Sequence, residues 1–219
     1  VGEFDWKQRL LSVREQISLL VPGPPGVVEL DAEVFVTRVS SGDTMLPFVY
    51  DDTANTLRVD LSPLHPSAGM VTFTVEYHTG TSPGMIASSG RDADPVTSRV
   101  VFTYSEPDRG RYWLVANHRP TDRARWAVEL TVAADEDVIA NGTRIKDEQR
   151  PQGRVVRYQI DQPLPTYLMA FAAGQIVHHD RTGGRVPLSL WYRRGLTVVP
   201  DQNLDAVASA MATFEALLG

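Results

Sequence analysis

The histidines are the side chains of this sequence best suited to bind a metal ion. They lie at His65, His78, His118, His178 and His179. A helical zinc peptidase site needs the spacing His-Glu-x-x-His, which turns both imidazoles toward one ion and lets the carboxylate activate water. No histidine pair here has that spacing, and the adjacent residues His178 and His179 would point to opposite faces of a strand. We therefore interpret them as a solvated strand end and predict no metal site in this chain.

Other common catalytic patterns are also missing from the sequence. With no cysteine, the chain has no thiol nucleophile, no thiolate zinc site and no disulfide. It contains neither a Gly-x-Ser-x-Gly elbow nor a glycine-rich phosphate loop of common spacing. The carboxylate pairs Asp51–Asp52 and Asp135–Glu136 lie in polar, turn-like segments, which favours solvated surface. We expect no catalytic residue in this chain by itself.

Length and charge narrow the possible partners. The chain has 219 residues, enough for one large β domain with a short appendage, and its net charge of -6 argues against nucleic acid as the main partner. Its apolar runs are far shorter than the roughly 20 residues that span a bilayer, so we predict no membrane segment. The sequence does not determine the cellular compartment of the protein, although the cytoplasm is favoured.

Hydrophobic periodicity predicts the elements that would position any site. Apolar residues alternate with polar ones in short runs, and the run 12–21 places Val13, Ile17, Leu19 and Val21 on one face. The period changes after Pro200, where Leu204, Val207, Ala208, Met211, Phe214 and Leu218 follow helical spacing and Asp201 or Asn203 could cap the helix. The predicted fold is all-β, an antiparallel β-sandwich with one C-terminal α-helix.

Three connections carry more specific expectations. Residues 80–95 are rich in Gly, Ser and Asp and are predicted to be a long polar loop. Asn141-Gly142 favours a tight hairpin, with 154–160 as the returning strand. The nearly continuous apolar run 163–176 is typical of a strand buried on both faces.

The stretch 104–126 combines turn formers, aromatic rings and arginines between two strand-like runs. Its aromatic residues could stack on a sugar or a base, although packing beneath a crossing segment is the favoured interpretation; they are Tyr104, Tyr112, Trp113 and Trp126. Its arginines could bind an anion, although nearby Asp and Glu favour a salt-bridged surface or a domain interface; they are Arg109, Arg111, Arg119, Arg123 and Arg125.

Part of this stretch resembles a known family. Residues 113–126, WLVANHRPTDRARW, resemble a segment in the non-catalytic N-terminal domain of zinc aminopeptidases of the aminopeptidase N and leukotriene hydrolase type. That segment reads roughly Trp/Phe-x-Pro-Cys-x-Asp-x-Pro-x-x-Lys-Ala-x-Phe. The residues in step with it are Trp113, Asn117, Pro120, Asp122, Arg123, Ala124 and Trp126. Three positions depart from it: Val115 replaces Pro, Ala116 replaces Cys, and His118 replaces Asp, which puts in question any role that needs a carboxylate there.

A second segment strengthens the resemblance. Residues 165–174 match the family's strand pattern Pro-Thr-Tyr-Leu-x-x-x-x-x-Gly, and the turn 139–142 lies at the expected place upstream. The resemblance implies a saddle-like β-sandwich over 1–199, with 200–219 as the first helix leading into a catalytic domain that this chain lacks. Zinc would be held by that domain, and this chain itself would need no cofactor.

The resemblance also implies one substrate-contacting residue. Glu106, in the sequence Tyr-Ser-Glu-Pro, falls where the family places a Gln or Glu that reaches the cleft and contacts the free amino end of a peptide substrate. A carboxylate suits that role because it accepts charge-assisted hydrogen bonds from an ammonium. On residues alone, Glu106 could equally well only shape a Glu-Pro turn.

These observations give one function and two alternatives. We expect the non-catalytic N-terminal domain of a zinc aminopeptidase-like protein, whose partners are its own catalytic domain and the amino terminus of a peptide. One alternative is an autonomous β-sandwich module that binds a carbohydrate or protein. The other is the scaffold of a homologue without peptidase activity.

Overall fold

Alternating sequence becomes strand over most of the chain. The computed structural model describes residues 1–24, 26–65, 68–88, 97–182 and 184–218. The first strands are β1 (Gly2–Asp5), β2 (Leu10–Val21), β3 (Val27–Asp31), β4 (Phe35–Ser41), β5 (Thr44–Met45), β6 (Phe48–Asp51), β7 (Thr56–Asp60), β8 (Gly69–Gly80) and β9 (Met85–Ser88). The later ones are β10 (Val100–Thr103), β11 (Ala124–Val132), β12 (Asp137–Ala140), β13 (Thr143–Arg150), β14 (Gly153–Leu164), β15 (Phe171–Gly174), β16 (Ile176–Arg181) and β17 (Leu188–Arg193). Helix α1 (Pro200–Leu218) follows, and three short 3-10 turns cover Ser62–Leu64, Arg109–Tyr112 and Thr166–Leu168.

One large sheet spans the described part of the chain. Its eight strands run in the order β13-β14-β11-β1-β2-β8-β4-β5. The long pair β2 and β8 is antiparallel from Leu10 opposite Gly80 to Val21 opposite Gly69. The antiparallel prediction needs one correction, because β1 runs parallel to β11, with Gly2 opposite Leu130.

Among the described residues there are three smaller sheets, of which the two-stranded pair β16-β17 contacts α1. The other two pack on the large sheet, and each encloses its own hydrophobic cluster. The four-stranded sheet, in the order β12-β15-β10-β9, shares a cluster with β11 and β14 that includes Trp113, Val156 and Phe171. The three-stranded sheet, in the order β3-β7-β6, shares a second cluster with β8 that includes Phe73 and Val115. The fold is therefore the predicted all-β sandwich, with two adjacent cores beneath one sheet.

The predicted Asn-Gly hairpin is wrong. β12, which precedes Asn141, pairs with β15 of the four-stranded sheet, whereas β13, which follows Gly142, pairs with β14 of the large sheet. The turn therefore carries the chain from one layer to the other. Gly142 has a φ of 94°, and a Cβ there would collide with the Gln159 carbonyl, so glycine is required for the crossing.

Two other local predictions are corrected. The polar segment 80–95 is not all loop, since β9 lies within it and pairs with β10; residues 89–96 lie outside the described part. The apolar run 163–176 is not one strand either, because β14 ends at Leu164 and a 3-10 turn precedes β15. The turn arises where the chain leaves the large sheet for the four-stranded one.

The C-terminal helix packs on the sandwich near its start. Leu204 is buried, whereas Phe214 and Leu218 are 61% and 82% exposed. The predicted cap is also corrected, since α1 begins at Pro200 and Asn203 donates its side-chain N–H to the Val199 carbonyl, 2.9 Å away. No helix in the described ranges is both long and apolar enough to cross a membrane.

Candidate functional site

Glu106 lies on an exposed turn that follows β10. Its peptide bond to Pro107 is cis. Its carboxylate forms no hydrogen bond or ion pair with another described residue, and Glu106 is exposed to solvent. Beside it, the ring of Tyr104 is 45% exposed and carries the Arg109 guanidinium 5.2 Å from its centre. The segment 104–109 thus carries an exposed carboxylate and, separately, an exposed aromatic ring in contact with a cation.

Buried side chains hold this turn from behind. Ser105 is buried, and its hydroxyl donates to the Met169 carbonyl at 2.5 Å. The indole N–H of Trp113 donates to the Ser105 oxygen at 3.0 Å, and its ring meets Phe171 edge-on with centroids 5.3 Å apart. The exposed Glu106 therefore follows directly on a residue that is fixed to the core.

His118 ties the two resembling segments together. Its Nδ1 lies 2.9 Å from the Thr166 hydroxyl and its Nε2 lies 3.4 Å from the Leu114 carbonyl, which fits a neutral ring that accepts at Nδ1 and donates at Nε2. Burial lowers the pKa of His118. Gly110 makes room for the ring, because a Cβ there would lie 2.6 Å from the imidazole Cε1 atom. The residue that replaces an Asp thus acts as a neutral, buried hydrogen-bonding group.

The aromatic residues of 104–126 do not form one platform. Trp113 is buried in the core, and Trp126 donates its indole N–H to the Leu164 carbonyl at 3.0 Å. Tyr104 lies on the outside next to Arg109. The favoured interpretation, packing beneath a crossing segment, is confirmed for Trp113.

The arginines of the same stretch do not converge on an anion site. Arg111 lies 3.9 Å from the Asp108 carboxylate and donates to its carbonyl at 3.1 Å. Arg125 donates to the Asp161 carbonyl at 3.0 Å. These contacts match a surface of local polar links.

The two carboxylate pairs differ from each other. Asp51 and Asp52 are exposed as predicted, and Asp51 accepts hydrogen bonds from the backbone of its own turn. The prediction is wrong for Glu136, which is 2% exposed, forms an ion pair with Arg99 and accepts the Ala133 N–H at 3.0 Å. Glu136 is buried because the turn folds back against the end of β11.

Glu15 is a polar residue that the sequence interpretation passed over. It lies between Val13 and Ile17 on the inward face of β2. Its Oε2 atom accepts the Tyr77 hydroxyl at 2.9 Å and the Val115 N–H at 3.0 Å. The available signal was its register, because a carboxylate at an inward position of an alternating strand must find buried donors.

A known protein family matches this chain. The family model described as the peptidase M1 N-terminal domain matches residues 27–168, which include all of the resembling segment 113–126 and the start of the segment 165–174. The chain belongs to the peptidase M1 N-terminal domain family. No curated protein gave a significant match to the sequence.

Solved structures support the same fold. An M1 zinc metallopeptidase from Deinococcus radiodurans bound to a Tyr-Ser-Ala substrate superposes with a TM-score of 0.69 at 21% identity, over 90% of this chain and 47% of that one. Native yeast LTA4 hydrolase gives a TM-score of 0.71 at 14% identity, over 88% of this chain and 30% of that one. The chain therefore spans about half the length of the bacterial relative and less than a third of the yeast one.

The residues of this M1 N-terminal domain do not fit a zinc site. His178 stacks on Trp191 with ring centroids 4.4 Å apart, and His179 bonds to Asp201 at 3.0 Å. His118 already uses both ring nitrogens inside the core. Across the described ranges, no group of three or more potential ligands is arranged to hold a metal.

Proposed function

We propose that this chain is the non-catalytic N-terminal domain of a zinc aminopeptidase-like protein, and that Glu106 contributes to the pocket for the substrate's amino terminus. In this proposal the domain packs on a catalytic domain that supplies the zinc and the hydrolytic chemistry. The domain itself forms one wall of the cleft. Membership of the family supports the scaffold role, and the geometry at Glu106 supports the pocket role.

The observation that carries the proposal is an unpaired carboxylate on a fixed turn. Glu106 has no partner among the described residues, while Ser105 next to it is bonded to the core at 2.5 Å. A carboxylate held in this way needs little reordering before it accepts hydrogen bonds from an ammonium. A residue that only shaped the turn would not need a charge that points into solvent.

Exposed apolar surface supports a domain contact. Phe102 and Ile86 are opposite each other on β10 and β9, and are 36% and 45% exposed. Leu168, on the 3-10 turn before β15, is 44% exposed. Phe102 lies four residues before Glu106, and Leu168 precedes Met169, whose carbonyl accepts the Ser105 hydroxyl. We infer that a domain covering these side chains would also contact Glu106.

The coding sequence beyond residue 219 gives the first test. We expect a His-Glu-x-x-His motif with a second glutamate about twenty residues later, since those residues complete a zinc site with an open position. A reading frame without these ligands would remove the peptidase role and leave the scaffold of an inactive homologue.

Kinetics of that longer protein give the decisive test. Glu106→Ala should lower kcat/KM for peptides with a free amino terminus by about 10 to 100 fold, because a charge-assisted contact is lost. The matched control is Asp108→Ala, which removes another exposed carboxylate of the same turn. Equal losses in both variants, or no loss in Glu106→Ala, would contradict the role of Glu106.

A further inference from the structure

A polar cluster interrupts the apolar seam between the two cores. Trp113 belongs to the core under the four-stranded sheet, whereas Tyr77 and Val115 belong to the core under the three-stranded sheet. Glu15 reaches this seam from the inward face of β2. The segment 113–115 therefore crosses from one core to the other at the point where Glu15 and Tyr77 contact it.

The hydrogen bonds of this cluster depend on whether the Glu15 carboxyl carries a proton. The Tyr77 hydroxyl lies 2.9 Å from Glu15 Oε2 and 2.9 Å from the Trp113 carbonyl, but it has a single hydrogen to donate. When Glu15 is ionised, both neighbours of that hydroxyl are acceptors, and only one of them can receive the Tyr77 hydrogen. When Glu15 is protonated, it donates to Tyr77, Tyr77 donates to Trp113, and every contact is satisfied.

We propose that Glu15 is a proton-dependent positioning residue, whose neutral carboxyl completes a hydrogen-bond chain through Tyr77 to the Trp113 carbonyl and thereby ties the crossing segment to the large sheet. Loss of the proton leaves the Trp113 carbonyl or the carboxylate short of a donor. The tie is then weakened at the seam of the two cores. This proposal concerns the domain alone and does not depend on the aminopeptidase role.

The surroundings place the switch near neutral pH. Burial raises the pKa of Glu15 to about 7, against the lowering effect of the Val115 N–H and the Tyr77 hydroxyl. Burial and the adjacent Glu15 also raise the pKa of Tyr77 well above its ordinary value, so the phenol keeps its hydrogen throughout this range.

Few other charges face the carboxyl. The Val1 amino group, from the β1 side, lowers the pKa of Glu15. On β8 the facing titratable group is Tyr77, and the cross-strand pair Arg14 and Glu76 lies at the neighbouring register position, where side chains point to the outer face. The crossing segment contributes the Val115 N–H and the Trp113 carbonyl.

The direct test is a titration of the chain followed by carbon NMR. The Glu15 side-chain carboxyl, assigned by its absence in Glu15→Gln, should titrate with a midpoint near 7 rather than near the ordinary value of 4.5. The Trp113 carbonyl carbon should shift with the same midpoint, and this shift should vanish in Tyr77→Phe. A Glu15 midpoint near 4.5, or a Trp113 carbonyl that ignores it, would overturn the proposal.

The pH dependence of the free energy of unfolding provides an independent test, because the proposal fixes its direction. A raised pKa means that the folded state holds the proton more tightly, so the stabilisation is complete below pH 4.5 and is lost as the pH rises through 7. The unfolding constant of the wild type, relative to Glu15→Gln, should rise by up to about tenfold per pH unit between roughly 5 and 7 and then level off. In the control Glu3→Gln, which removes an exposed carboxyl on β1, the ratio of the wild-type unfolding constant to that of the variant should not change in this way. A ratio for Glu15→Gln that stays flat across this window would overturn the proposal.

Discussion

Two buried titratable residues, Glu15 and His118, respond to burial in opposite directions. Burial raises the pKa of Glu15 and lowers the pKa of His118, because in each case the neutral form is favoured away from water. Both side chains contact the stretch 104–126, Glu15 at Val115 and His118 from within the stretch itself. We therefore expect the packing of this stretch to change with pH at both contacts, and single substitutions can separate the two contributions.

Replacement of His118 by Gln tests the histidine contribution. Because its pKa is lowered, the stabilisation from neutral His118 is present above the ordinary value of 6.5 and is lost as the pH falls through the folded-state value. At pH 7.5 the variant should be about 1 to 3 kcal/mol less stable, since Thr166 and Leu114 lose a buried partner. Below pH 6.5 the gap to the wild type should narrow. Urea unfolding at several pH values measures this, and parallel curves would contradict it.

At the scale of elements, polar links join the ends of strands that belong to different sheets. Arg99, just before β10, pairs with Glu136, just before β12. Glu136 also accepts the N–H of Ala133, just after β11 of the large sheet. One buried carboxylate thus connects three strand ends across the two layers.

Glu136→Ala should therefore destabilise the fold strongly. We expect a loss of about 1 to 3 kcal/mol in the free energy of unfolding, because the partly exposed Arg99 and the Ala133 N–H lose their shared partner. The neighbouring residue provides the control: Asp135 has a 52% exposed side chain, so Asp135→Ala should cost about 1 kcal/mol or less. Denaturant unfolding of the two variants compares them, and similar losses would show that burial of Glu136 contributes little.

At the scale of the whole molecule, α1 is attached to the sandwich at its beginning. Leu204 is 3% exposed, and Arg181 donates to its carbonyl at 3.2 Å. At the far end of the helix the apolar side chains of Phe214, Leu217 and Leu218 are 61%, 74% and 82% exposed. In the proposed function these positions meet the catalytic domain.

Two alanine substitutions test this division of the helix. Leu204→Ala should lower the free energy of unfolding by about 2 to 4 kcal/mol, because it empties a packed site. Phe214→Ala should change it by less than about 0.5 kcal/mol in this chain. Thermal unfolding followed by circular dichroism measures both. A large loss for Phe214→Ala would mean that the far end of α1 packs on the domain as well.

Local features of this protein follow from the order of neighbouring residues. Alternation in 12–21 predicts β2, because a period of two is a property of neighbouring residues. The helical spacing after Pro200 predicted α1 for the same reason. Residues 113–126 and 165–174 were sufficient to identify the family, since their pattern is read directly along the chain.

Which elements become partners depends on contacts between residues that are distant in sequence. The Asn141-Gly142 turn has the composition of a hairpin, yet its two strands join different sheets because pairing with β15 and β14 is non-local. The polar, turn-like sequence around Glu136 predicts a solvated side chain, yet contacts with Arg99 and the end of β11 bury it. Glu15 gained its proton-dependent role from Tyr77 and Trp113, which are distant in sequence. Burial is a property of the whole packed chain, so a single sequence does not specify it residue by residue.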